Sequence, residues 1–168
     1  DVADRSGAPL PDTIAYWEEV LSAATRIDIP DLLLSDAIRA SRVHCLIAAR
    51  SEDGGRRIAP WIASVSYGPL ESEAHSIIRG MDLLGHGEFA RRGLDFFISR
   101  YDPRGFLTTG YTLLGTGWHL WTLGEHFARA PDREWLAARA PAIDRSCRWV
   151  MAQRRKTMAG GGERPPEY

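Results

Sequence analysis

Apolar residues recur every three or four positions through most of this chain, and six stretches keep that spacing long enough to predict helices. Asp12 to about Thr25 puts Ile14, Trp17, Val20 and Leu21 on one face, with Asp12 as the expected N-cap. After the Ile29-Pro30 break, Leu33 to Arg50 carries Leu34, Ile38, Val43, Leu46 and Ile47. Leu70 to Gly85 carries Leu70, Ala74, Ile77, Ile78, Met81 and Leu84, with Glu71 and Glu73 where negative charge suits the helix dipole. Gly87 to Tyr101 is one-sided, with Ala90, Leu94, Phe97, Ile98 and Tyr101 on a stripe and charged residues elsewhere.

The stretch from Leu113 to Phe127 differs. Leu113, Leu114, Trp118 and Trp121 hold one side, while Leu120, Leu123 and Phe127 occupy much of the other, which predicts a helix covered on more than one side. The last helix is expected from Pro141 to Arg155, with Ile143, Cys147, Val150 and Met151 on its stripe. Pro141 fits the first turn, where its missing N–H costs no hydrogen bond. A short helical turn through Trp135 and Leu136 precedes it. No run alternates with period two, so the expected class is all-α. One helical domain is predicted over residues 12–158, flanked by an extended arm at 1–11 and a loop tail at 159–168.

The connections alternate in length. Those after the first, third and fifth helices are short, and short links close antiparallel neighbours. Those after Arg50 and Arg100 are longer and rich in glycine, and the tail after Arg155 is too. Phe89 and Trp135 occupy like positions after short breaks, about 46 residues apart, within the range of stacked helix pairs. Three helical hairpins in an inner and an outer layer are expected, with every long loop at one end.

Composition narrows the partners. In the 168 residues, 21 Lys and Arg balance 22 Asp and Glu without clustering on one predicted face, so nucleic-acid binding has no electrostatic support. No apolar run reaches the ~18 residues of a membrane helix. No secretory signal is legible, and a chain opening on Asp1 leaves the compartment undetermined. Cys45 and Cys147, both in predicted helices, read as small buried hydrophobes.

Candidate chemistry gathers where the long loops meet the third and fifth helices. Trp61, Tyr67, Tyr101, Phe106 and Tyr111 lie there beside Glu71, Asp102 and Arg104, a mixture able to stack on and hydrogen-bond a sugar ring. The alternative is that these rings seal the rim of the core. His75 lies one turn after Glu71 on the same face, and His119 near the start of the fifth helix could approach the same mouth. Glu73 points about 200° away from Glu71, so the two make a poor dyad. Asp102 also suits a turn start, and Glu125 a pairing with a neighbour. A metal drawn from His75, His119 and Cys147 lacks any local ligand spacing. Neither metal nor cofactor is expected.

Three phrases carry a resemblance: SYGPLESEA (66–74), GTGWHLWTLGEHF (115–127) and PDREWLAARAPAIDRSCRWV (131–150). Together they resemble the six-hairpin glycosidases, (α/α)6 toroids of the glucoamylase and glycogen-debranching type, over about Asp12 to Arg155. The last two are similar to the inner-helix and outer-helix phrases of one hairpin. The resemblance implies half of such a toroid, since six helices make three hairpins, and hence a fragment of a carbohydrate-active hydrolase. It implies as partners an oligo- or polysaccharide and either the remaining half-ring or a second copy. Glu71 is the implied acid/base or hydroxyl ligand. Trp61, Tyr67, Tyr111 and Trp118 would stack on or orient sugar, with Arg104 or His119 as donors. The other classes are a non-catalytic α/α binding module and another toroid enzyme such as an isoprenoid cyclase, which the missing DxDD motif disfavours.

Overall fold

A computed structural model describes residues 10–61, 68–109 and 114–158. Six α-helices dominate: α1 (Leu10–Ser22), α2 (Leu32–Ala48), α3 (Glu71–Leu83), α4 (Gly87–Ile98), α5 (Leu114–Arg129) and α6 (Arg133–Met158). The all-α expectation therefore holds in its broad form. One departure lies in the first long connection, where β1 (Arg50–Glu52) pairs antiparallel with β2 (Arg57–Ala59). Three-residue strands are too short to display alternation. Their turn needs positive φ at Asp53, Gly54 and Gly55 in succession, which the two glycines make accessible.

The helix starts differ from expectation in two places. α1 begins at Leu10, so Asp12 sits within its first turn rather than capping it. α2 is capped by Asp31, whose carboxylate accepts the Leu34 N–H at 3.1 Å. At the other end of the chain, the expected break before Pro141 is absent. α6 runs 26 residues through that proline. One lost helix hydrogen bond is tolerated because Trp135 and Arg139, on the N-terminal half, are both fastened to Asp95 of α4.

α3 and α5 lie side by side and run parallel. Glu71 meets Gly115, His75 meets His119 and Asp82 meets His126, a constant step of 44 residues. α4 and α6 pair in the same sense, through Arg91 with Asp132 and Asp95 with Arg139. Thus α3/α4 and α5/α6 are two hairpins stacked in one orientation, and their ends match at a step of 46, Leu83 with Arg129 and Gly87 with Arg133. Contacts at both ends of the stack follow. The α1–α2 turn joins the α3–α4 turn through Thr25 N–H to the Leu84 carbonyl at 2.9 Å, so two short connections share one end. At the other end Arg100 reaches Glu52 at 3.3 Å, joining the two long connections.

The main core lies between α3, α4, α5 and β2, with Ala59, Ala74, Ile78, Ala90, Leu94, Phe96, Phe97, Leu107 and Leu123 buried. A smaller cluster of Ile58, Met81 and Phe89 receives Cys45 and Leu46 of α2. α5 is not enclosed as its composition predicts. Its buried residues are Gly115, Thr116, His119, Thr122, Leu123 and His126, while Leu114, Trp118 and Trp121 face outward. The reason is spacing: α3 and α5 approach so closely that a Cβ at Gly115 would overlap the Glu71 side chain, so small and flat residues fill the contact. Cys147 is likewise exposed rather than buried, and Cys45 is half-buried. No described helix is long and apolar enough to cross a membrane.

Candidate functional site

The long-connection end of the α3/α5 pair holds a chain of buried polar side chains. Glu71 opens α3 and is only 1% exposed. The His75 ring turns back to donate from Nδ1 to the Glu71 carbonyl. A carbonyl can only accept, so the proton of a neutral His75 sits on Nδ1 and its Nε2 carries the lone pair. His75 also lies 4.5 Å from the Phe97 ring and 5.0 Å from His119, centre to centre. His119, wholly buried, makes a 2.6 Å hydrogen bond between Nδ1 and the Tyr101 hydroxyl. Neither Nε2 of the two histidines reaches a hydrogen-bond partner among the described residues.

Burial dominates the electrostatics here. It lowers His75 to about 4, against the weaker pull of the Glu71 carbonyl. It lowers His119 well below the usual histidine range, helped by the neighbouring His75 and opposed by the Leu94 carbonyl. Burial also raises the Tyr101 phenol, with the Ser146 hydroxyl of α6 opposing the rise. Both imidazoles and the phenol are therefore neutral near pH 7. Such a group can orient neighbours and relay a hydrogen-bond direction, but holds no free charge for a substrate anion.

A second buried set lies at the short-connection end. His126 Nδ1 is 3.2 Å from Asp82, and Arg129 stands 3.7 Å from the other carboxylate oxygen. The Trp135 ring packs edge-on against His126, with centres 5.5 Å apart. Its position, between the C-terminal turns of α3 and α5, makes it a fastening of those two helices.

The residues read from sequence disperse. Glu71, His75 and His119 come together, as their spacing implied. Tyr67 and Tyr111 lie outside the described residues. Trp61 is half-buried against the main core and carries the Arg50 guanidinium 3.7 Å from its ring centre, so one of its faces is taken. Arg104 is exposed and bound to Asp102 at 2.9 Å. Asp102 itself builds the turn, accepting from the Arg104 and Phe106 N–H groups. Phe106 lies against Trp149 of α6, 4.8 Å between centres, as a rim contact. Trp118 is 41% exposed on the outer side of α5, away from buried His119. Glu125 pairs with Arg79 of α3 at 2.5 Å.

Tyr101 is legible in the sequence among the loop aromatics but not as the partner of His119, and Ser146 beside Tyr101 escapes it. Tyr101 follows the end of α4 and Ser146 lies midway along α6, and no local spacing joins them to α3 or α5. No cluster of three or more His, Cys, Asp or Glu able to hold a metal occurs among the described residues. The molecule is, in class, an all-α protein of stacked helical hairpins with a buried polar seam between α3 and α5. No family model, curated protein or solved structure matches the chain.

Proposed function

We propose that this chain is about half of an (α/α)6-type domain of the six-hairpin glycosidase kind, from a protein acting on an oligo- or polysaccharide. The observation that supports this reading is the stack itself. Parallel inner helices α3 and α5 are each followed by an outer helix, and their long connections gather at one end, where a toroid enzyme builds its substrate mouth. In this reading Glu71 stands at that mouth as the candidate acid/base or hydroxyl ligand, and His75 positions it by gripping its carbonyl. A glycosidase needs a second carboxyl group across the scissile bond. Glu73 does not supply it, being turned from Glu71 and bonded to Ser72.

The alternative, a non-catalytic α/α carbohydrate- or protein-binding module, draws on a specific feature. Glu71 is packed beneath Gly115 with 1% of its surface open, which suits a structural carboxyl better than a solvent-reaching one. Oligosaccharide titration followed by tryptophan fluorescence tests for the sugar site, and Glu71→Gln separates the two readings. A catalytic Glu71 predicts saccharide hydrolysis by the complete protein, falling at least a hundredfold in the variant while sugar binding persists. Turnover within a few-fold of wild type assigns Glu71 to the scaffold. The carbohydrate reading itself fails if no saccharide binds and none is hydrolysed.

A further inference from the structure

We propose that the uncovered flank of the α5/α6 hairpin is a self-association surface, on which a second copy of this chain docks about a twofold axis with the two α5 helices antiparallel. The inference uses only the stacking geometry; a further hairpin on the same flank, as the half-ring reading has it, is the rival cover that the test below separates from it.

The argument begins from the step of 46 that relates the hairpins. Glu71, His75 and Asp82 of α3 face α5 and are each at most 3% exposed. Their counterparts on α5 are Gly117, Trp121 and Ala128, all exposed. Trp121 is 55% open, and a Cβ placed on Gly117 or Gly124 would meet nothing within 4 Å. Apart from the Arg79 guanidinium of α3, 6.0 Å from the Trp121 ring centre, the surface by which α3 holds its neighbour is thus repeated on α5 without a neighbour among the described residues. Its character has also changed, from two carboxyl groups and one imidazole to small and aromatic residues. A polar face can remain in water at little cost, whereas an exposed aromatic and aliphatic strip gains from being covered.

The strip is complementary to itself when reversed. Leu114, Trp118, Trp121, Glu125 and Ala128 follow helical spacing along one side of α5. With the axis at Trp121, Trp118 of one copy falls opposite Gly124 of the other, three residues to either side. Leu114 then falls opposite Ala128, seven to either side. Large side chains meet small ones twice in each half, the condition for close approach of two helices. Glu125 needs no new partner, since Arg79 already holds it.

The same axis suits α6. Trp121 and Pro141 are each ten residues from Pro131 in the turn between the helices, so they stand level. Glu134 lies seven residues before Pro141 and Arg148 seven after, bringing opposite charges together in an antiparallel α6 pair. Arg148 has only an exposed partner within its own helix, Asp144 at 2.7 Å. In size, helices of 16 and 26 residues, at 1.5 Å per residue and about 10 Å wide, offer roughly 600 Å² of face. That approaches the ~800 Å² per partner of a standard stable interface. An interface mapping onto itself closes at two copies and does not polymerise.

Sedimentation velocity and light scattering on the full chain between about 1 and 100 µM test this. A dimer is expected, and Gly124→Leu should weaken its dissociation constant at least tenfold by filling the notch for Trp118. Trp121→Glu should give a single-chain mass with an unchanged far-ultraviolet spectrum, since Trp121 stands at the surface beside the Arg79 guanidinium, which a glutamate can face. In a Cys147→Ser background, Trp121→Cys should form an intermolecular disulfide under mild oxidation, because the axis brings that position against itself. A single-chain mass for wild type at 100 µM overturns the proposal and points to a different chain or further hairpins as the cover. A dimer that survives both Gly124→Leu and Trp121→Glu, or that fails to cross-link through residue 121, overturns it in favour of another face.

Discussion

Acid should loosen this fold through His75 in a measurable window. The ring is at most 2% exposed, donates to the Glu71 carbonyl and lies against Phe97 and His119, an environment that disfavours the charged form. Its folded value is lowered to about 4, whereas an unfolded histidine titrates near 6.5. Between those values the unfolded chain takes up a proton that the folded chain refuses. The His75 contribution is therefore complete above about pH 6.5 and declines as pH falls towards 4. Linkage with those two values gives a loss of about 2 kcal/mol at pH 5, approaching about 3 kcal/mol below pH 4. His119 is shifted in the same direction and adds to the effect. Urea denaturation of wild type and His75→Gln at pH 8 and pH 5 isolates the first part. Wild type should lose about 2 kcal/mol more than the variant across that interval. An equal loss in both proteins would refute a neutral, dry His75.

Gly105 has φ of +98°, and an added Cβ would stand 2.5 Å from the Arg145 carbonyl carbon and the Ser146 nitrogen. Both are backbone atoms of α6, so no rotamer relieves the clash, and Gly105→Ala should cost roughly 2–5 kcal/mol from strain and overpacking together. A thermal melt should show a fall on the order of 10 °C, and an unchanged midpoint would contradict the close approach of that turn to α6. Arg139→Ala removes both hydrogen bonds to Asp95, each 2.7 Å, and leaves the carboxylate only the Trp135 indole. An expected loss of about 1–3 kcal/mol should largely disappear when Asp95→Asn is added, the cycle being read by chemical denaturation.

Periodicity located all six helices, and burial follows the expected stripe best in α4, at Ala90, Leu94 and Phe97, whereas the stripe residues Ile14, Leu34, Ile47, Cys147 and Met151 of α1, α2 and α6 are exposed. It failed on α5 for a physical reason. Where parallel helices nearly touch, the contact admits residues by size, so Gly115, Thr116 and Thr122 are buried while Trp118 and Trp121 are left outside. A hydropathy pattern counts the tryptophans and overlooks the glycine. Pro141 misled in the opposite direction, since a local breaker was outweighed by the bonds from Trp135 and Arg139 to Asp95. At the candidate site, Glu71 and His75 were legible because they share one helix. His119 was linked to them only loosely by its place near a helix start. Tyr101 and Ser146 reach the same interior from residues 18 and 27 positions away from His119, and only the stacking of α4 and α6 brings them in.

The unequal connections divide the chain into parts with different freedom to change. At the Thr25–Leu84 and Asp82–His126 contacts the short links are clamped, and inserting even one residue there would rotate the following helix out of its slot. The long connections are restricted differently: Ile58 and Ala59 of β2 and Leu107 are buried in the core and Gly105 rests against α6, so a change of length is tolerated only where those contacts stay in place. Descendants of this scaffold can therefore lengthen or replace the rim between those anchor points, acquiring new specificities while the bundle underneath keeps its register.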